Sequence, residues 1–303
     1  MNSVSNLSLA EQIKLEVRQI GIPPRPSILI EIEKVLRENE TDYIRLADLI
    51  GADVGIAAGL IKVANSSFFG LTRKVRTVRE CLMALGMHQV VQIVTTLSLE
   101  KEFGHAPQLT RFWDSSARIA RVSAWLAYRL RGRCRIPPED AYTFGLFRDC
   151  GIALLLVPFP EYRETLLAAN QATSDSFTAV EDRMMGINHA SLGSAMAETW
   201  LLADEFITAI RHHHDLPQVQ ANEEAPDIPA SAWTMIAIAQ LAEHLVQLKT
   251  GMSKTNEWDK VMAMSIQQLG MDAASLAELE AECDGVVHDR RSAPAAEQLH
   301  VLA

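Results

Sequence analysis

Apolar residues recur every three to four positions along most of the chain, the period of an α-helix with one buried face. Leu9, Ile13 and Val17 form the first stripe, opened by Ser8 and Glu11 in capping-box spacing and closed by Gly21. The segment Gly21-Ile22-Pro23-Pro24-Arg25-Pro26 cannot be helical throughout, because each proline drives its predecessor toward extended geometry. Pro26 suits the first turn of a helix carrying Ile28, Leu29, Ile32, Val35 and Leu36 inward. Asp42 and Asp53 stand where N-caps belong, ahead of Leu46, Leu49 and Ile50 in one case and Ile56, Leu60, Ile61 and Ala64 in the other. The period lapses from Asn65 to Arg76 and resumes at a second capping box, Thr77 with Glu80, whose helix ends near Gly86. A longer helix follows through Val90, Val91, Ile93, Val94 and Leu97.

After Gly104 and Pro107 a second group of stripes begins. One predicts a helix from about Leu109 to Arg131, with Trp113, Ile119, Val122, Leu126 and Leu130 inward. Pro137 and Pro138 start a helix expected to carry residues 147–151. Further helices are predicted near 162–172, 176–185, 189–200, 204–213, 230–248, 258–269 and 273–283, with 218–225 as an exposed polar loop. No useful strand alternation and no internal repeat are visible, so the expected class is all-α, with helical halves over 8–105 and 106–285 and a flexible tail over 286–303.

Composition narrows the function classes. The 303 residues are 48% hydrophobic and 22% charged, typical of a globular chain with a sizeable core. A net charge of -10 argues against broad nucleic-acid binding. Arg129, Arg131, Arg133 and Arg135 form the main basic stretch, and read as a solvated helix end. Cys81, Cys134, Cys150 and Cys283 form no CxxC pair, which fits reduced thiols in a cytoplasmic protein. The N-terminus has no secretory pattern, and the longest apolar run, near 151–159, is far short of the ~20 residues that span a bilayer, so no membrane association is expected.

Candidate chemistry gathers around Phe147-Arg148-Asp149-Cys150-Gly151, His189 and His212-His213-His214-Asp215. An aspartate with histidines suggests a metal, yet Arg148 occupies a place where a neighbouring ligand is expected. Asn65, Phe68, Phe69, Arg73 and Lys74 form a loop suited to a partner or an anionic ligand, although paired aromatics more often anchor a loop to the core. Met184, Met185 and the other methionines read as core filling, and His88, His105 and His244 lack partners at metal spacing.

Several of these stretches resemble the HDOD domain, the HD-related output domain of bacterial signalling proteins. They are Ile22, Pro23, Pro24 and Pro26; Leu60 to Gly70; Val75, Thr77, Val78, Leu82, Leu85 and Gly86; Asn188 to Gly193; and Ile210 to His214. The resemblance covers about residues 20–282. It implies an N-terminal helical half packed on a half similar to HD-superfamily metal phosphohydrolases. In those enzymes a His, a His-Asp pair and a later Asp bind a divalent metal that activates water. Carried over residue by residue, Ser115 takes the place of the first His, Arg148 that of the paired His and Glu243 that of the late Asp, while Asp149 remains. A permanent guanidinium charge and two missing imidazoles oppose metal binding there. Asp149, His189, His213 and His214 resemble the second-metal ligands of HD-GYP phosphodiesterases, a set suited to zinc, iron, nickel or manganese. The competing reading pairs Asp149 with Arg148 or a histidine and leaves the imidazoles as hydrogen-bonded packing, with no cofactor. The resemblance therefore implies a regulatory module acting through signalling proteins or a small ligand, a nucleotide among them. Its alternative is a metal-dependent phosphohydrolase or phosphodiesterase that uses the residual second site.

Overall fold

Helix starts are set by the short polar residues that precede them. In the computed structural model, which describes residues 25–38, 42–66, 69–103, 109–215 and 228–288, the Asp42 carboxylate accepts from the Ile44 and Arg45 amides, and Asp53 from those of Gly55 and Ile56. They open α2 (Tyr43–Gly51) and α3 (Val54–Ala64), which follow α1 (Ser27–Leu36). Pro26 is the N-cap of α1 rather than its first residue. Thr77 caps α4 (Val78–Leu85) through the Glu80 amide. The Glu80 carboxylate reaches the Arg76 amide instead of that of Thr77, so the capping box closes one residue early. With α5 (Met87–Glu102) these helices complete the first group. The expected helix at 8–21, the insert at 218–225 and most of the tail lie outside the described residues.

The second group comprises α6 (Thr110–Arg129), α7 (Pro138–Phe147), α8 (Cys150–Leu156), α9 (Tyr162–Gln171), α10 (Phe177–Met185), α11 (His189–Thr199), α12 (Asp204–His212), α13 (Ala230–Thr250), α14 (Glu257–Gln268), α15 (Ala273–Glu282) and α16 (Asp284–Val287). The described residues contain helices and no strand, so the class is all-α. The long α6 lies against α7 and α13, while α8 packs on α11, and α11 on α12. The two groups meet where α5 touches α7, including a Thr96–Tyr142 hydroxyl contact of 3.2 Å. One continuous apolar cluster runs through both groups, from Leu29 to Val287.

Three expectations need correction. Residues 147–151 do not lie within one helix, because the chain turns at Arg148 and Asp149 between α7 and α8. Val286 and Val287 are buried in α16, so the stretch expected to fray begins with two core residues. Met184 is about half exposed, whereas Met185 packs against the core.

The break before α8 coincides with a very close helix crossing. A Cβ on Gly151 would lie 2.0 Å from the His189 carbonyl oxygen, and one on Gly193 would lie 3.3 Å from the Cys150 sulfur. Only residues without side chains allow α8 and α11 to approach so closely. That approach brings Asp149 to the start of α11.

Candidate metal centre

Three imidazoles and a carboxylate converge at this crossing. His189 is the first residue of α11, and its position is fixed by Asn188, whose side chain caps the helix at the Ser191 amide, 2.8 Å away. His213 is the C-cap residue of α12, and His214 follows it. Asp149 Oδ1 lies 3.1 Å from His213 Nε2 and 3.5 Å from His189 Nε2, and the two Nε2 atoms are 3.3 Å apart. Adding His214, the potential ligand atoms of all four residues fall within 4.8 Å of one another. His189 and His213 are fully buried and His214 nearly so, whereas Asp149 keeps 17% of its side chain exposed.

Each ring is held by its other nitrogen. His189 Nδ1 lies 2.7 Å from a Glu181 carboxylate oxygen, which also accepts from the His189 amide at 3.3 Å. His213 Nδ1 lies 2.6 Å from the Ile210 carbonyl, and His214 Nδ1 lies 2.8 Å from Glu257. Carbonyl and carboxylate oxygens only accept, so all three Nδ1 atoms carry the proton and a neutral ring presents a bare Nε2. Metal-binding histidines are anchored in this way. Tyr162 donates to Glu181, and Lys260 to Glu257, extending the support outward.

This arrangement contains a conflict that a cation resolves. A neutral His213 points a lone pair at Asp149 Oδ1 from 3.1 Å, two acceptors facing each other. Protonation is opposed, since burial, with His214 beside it, pushes the His213 value down to about 3. Burial also works against a charge on His189, but Glu181 and Asp149 outweigh it and raise that ring to about 10. Burial likewise opposes ionisation of Asp149, yet Arg148 and the two histidines hold its carboxyl well below the usual range. The carboxylates bonded to these rings and to Arg148 are Asp149, Glu181, Glu243 and Glu257; their permanent cations are Arg148 and Lys260. With His189 protonated the set carries one uncompensated negative charge; a bound ion that displaces this proton meets a deficit of two, the charge of a divalent cation. Bonds of about 2.0–2.1 Å from one ion to nitrogen and oxygen donors place those donors roughly 3.0–3.4 Å apart, close to the observed 3.1, 3.3 and 3.5 Å. The residues present fit a single metal ion.

Arg148 occupies the other side of Asp149. Its Nη2 lies 3.0 Å from Asp149 Oδ2 and 2.7 Å from Glu243 Oε2. The side chain is fully buried, and among the described residues its Nε and Nη1 have no hydrogen-bond partner. Burial disfavours the charge, but the two carboxylates raise the guanidinium above its ordinary value. Asp149 thus faces Arg148 with one oxygen and the imidazoles with the other. Ser115 makes no hydrogen bond to this group among the described residues, and lies beside a cleft between α6 and α13.

The loop candidates separate. The Asn65 amide is spent on the backbone of Val75, donating to its carbonyl and accepting from its amide, each at 2.8 Å. This clamp closes the loop. Phe69 packs against the core, Phe68 lies outside the described residues, and Arg73 and Lys74 are exposed. Sequence reasoning missed Glu181 and Glu257. Glu181 left a trace: with Phe177 and Val180 it lies on the inner face of α10, where a charged residue needs a buried partner.

Comparison with known proteins agrees with this architecture. The profile of the HDOD domain matches residues 22–216. An HDOD domain protein of unknown function from Geobacter sulfurreducens has a similar structure, with a TM-score of 0.67, 21% identity, and 98% of this chain and 100% of that one covered. A candidate signal-transduction protein from Marinobacter aquaeolei VT8 has a TM-score of 0.67 at 20% identity, covering 93% of this chain and 60% of that one. An uncharacterized protein of Treponema pallidum (strain Nichols) is 24% identical over 218 residues; the match takes in 72% of this chain and 42% of that relative's length.

Proposed function

The chain belongs to the HDOD domain family, and from that premise we propose that it is a regulatory module of bacterial signal transduction that holds one divalent metal ion and acts by binding, not by turnover. The donor triangle of Asp149, His189 and His213, with every Nδ1 already anchored, carries the metal part of this reading. Zinc, iron, nickel and manganese are the candidates its nitrogen and oxygen donors favour. Such an ion, when bound, supplies Lewis acidity toward water or a phosphoryl oxygen. The remaining work belongs to the chain: Glu181, Ile210 and Glu257 orient the rings, and α8 against α11 positions Asp149.

Arg148 carries the non-catalytic part. Its guanidinium fills the space between Asp149 and Glu243 and holds both carboxylates away from any second cation. Signals then pass through protein partners or a small ligand, with the exposed Arg73 and Lys74 loop as a contact surface. The partial exposure of Asp149 favours a second reading, a residual phosphohydrolase, because it leaves the carboxylate of the cluster within reach of a small substrate. Turnover of nucleotide phosphomonoesters and cyclic dinucleotides by metal-reloaded protein decides between them. The regulatory reading predicts no activity above background; substantial hydrolysis abolished by Asp149→Ala replaces it with the hydrolase.

A further inference from the structure

The first two turns of α6 and the loop after α13 enclose a cleft of about 320 Å3, counting the part open to solvent. Arg111, Ser115 and Arg118 share one face of α6 and line one wall, and Met252 and Ser253 line the opposite wall. Arg111 is exposed and has no ion-pair partner among the described residues. Arg118 donates through Nη1 to the Val287 carbonyl at 2.7 Å, while its Nε is buried with no partner among the described residues. Asp114 also lines the cleft. Two guanidiniums against one carboxylate leave a net positive charge on a chain whose formal charge is -10.

Ser253, which also lines the cleft, holds a left-handed backbone with φ of 52°. The helix ends do not decide the sign of the ligand, since the positive end of α6 and the negative end of α13 meet here and offset each other. The guanidiniums decide it. The two guanidiniums on the α6 side suit an oxyanion, and Arg is the residue best matched to phosphate. We propose that this cleft binds the phosphate group of a small phosphate monoester, with Met252 covering the apolar start of its carrier. The proposal does not depend on the metal reading of the histidine cluster, none of whose residues lines the cleft.

A 31P NMR titration of metal-free protein tests it, with inorganic phosphate and glycerol phosphate as probes and acetate as competitor. Both phosphates should show saturable binding, the ester at least as tight as the free ion, and acetate should not displace them at equal concentration. Arg111→Gln should weaken binding roughly tenfold, the expected loss of one charge-assisted hydrogen bond. Arg118→Gln should weaken it at least as much; if that variant fails to fold, the exposed Arg111 decides. Absence of saturable binding, unchanged affinity in Arg111→Gln, or displacement by acetate would overturn the site. Weaker binding of the ester than of free phosphate would overturn the monoester assignment.

Discussion

At Gly151 a single hydrogen in place of a methyl group decides whether the cluster exists. A Cβ there would meet the His189 carbonyl at 2.0 Å, a contact that backbone cannot yield without moving α11. Gly151→Ala is expected to destabilise the protein by about 3 kcal/mol, read from urea denaturation. Gly132→Ala, where a Cβ meets nothing within 4 Å, should change little. The titrating residues give a pH profile for metal-free protein. His213, held near 3, stays neutral in the fold while the unfolded chain takes up a proton, so stability falls as pH drops below about 6.5. His189, raised to about 10, does the reverse: its contribution is complete below about 6.5 and is lost as pH rises toward its folded value. The lowered carboxyls of Asp149 and Glu257 steepen the acid side as pH falls through the ordinary carboxylate range. Stability of metal-free protein should therefore peak near pH 6.5 (~6.5, the ordinary imidazole value). Bound metal displaces the proton on His189 and should remove the alkaline decline. A metal-free protein equally stable from about pH 6.5 to 9 would contradict the assigned protonation of His189.

Among the elements, helices with a polar cap and a clean stripe were legible, and the breaks were less so. Asp42, Asp53 and Thr77 each cap through a side-chain oxygen, a local interaction that spacing reveals. The turn at Arg148 and Asp149 was not legible, because it is imposed by α11 packing against Gly151 and has no proline or cap to mark it. The Asn65 clamp was not legible for the same reason, since its partner is the backbone ten residues away. Asn65→Ala should cost about 1–2 kcal/mol by leaving both Val75 groups without their partner. Limited trypsin digestion should then cleave after Arg73 or Lys74 faster than in the unaltered protein; equal rates would mean that the clamp does not hold the loop.

Over the whole molecule, class and family were readable because apolar period and motif residues extend through most of the chain. The acidic supports of the histidines were not, since Glu181 and Glu257 act across helices that only tertiary packing brings together. The same packing encloses all four cysteines. Burial raises each thiol, Cys81 to about 11, which suppresses the reactive thiolate. A native sample should therefore react slowly with a thiol reagent and release four equivalents only after denaturation; rapid native labelling would show that the core opens readily. Among the described residues no helix is long and apolar enough to cross a membrane. The most direct test of the metal-holding regulatory reading is elemental analysis of protein purified without chelators and after reloading with zinc, iron, nickel or manganese. About one metal ion per chain, lost in a folded His189→Ala variant, is the predicted result. No bound metal after reloading, or an equal content in that variant, would contradict it.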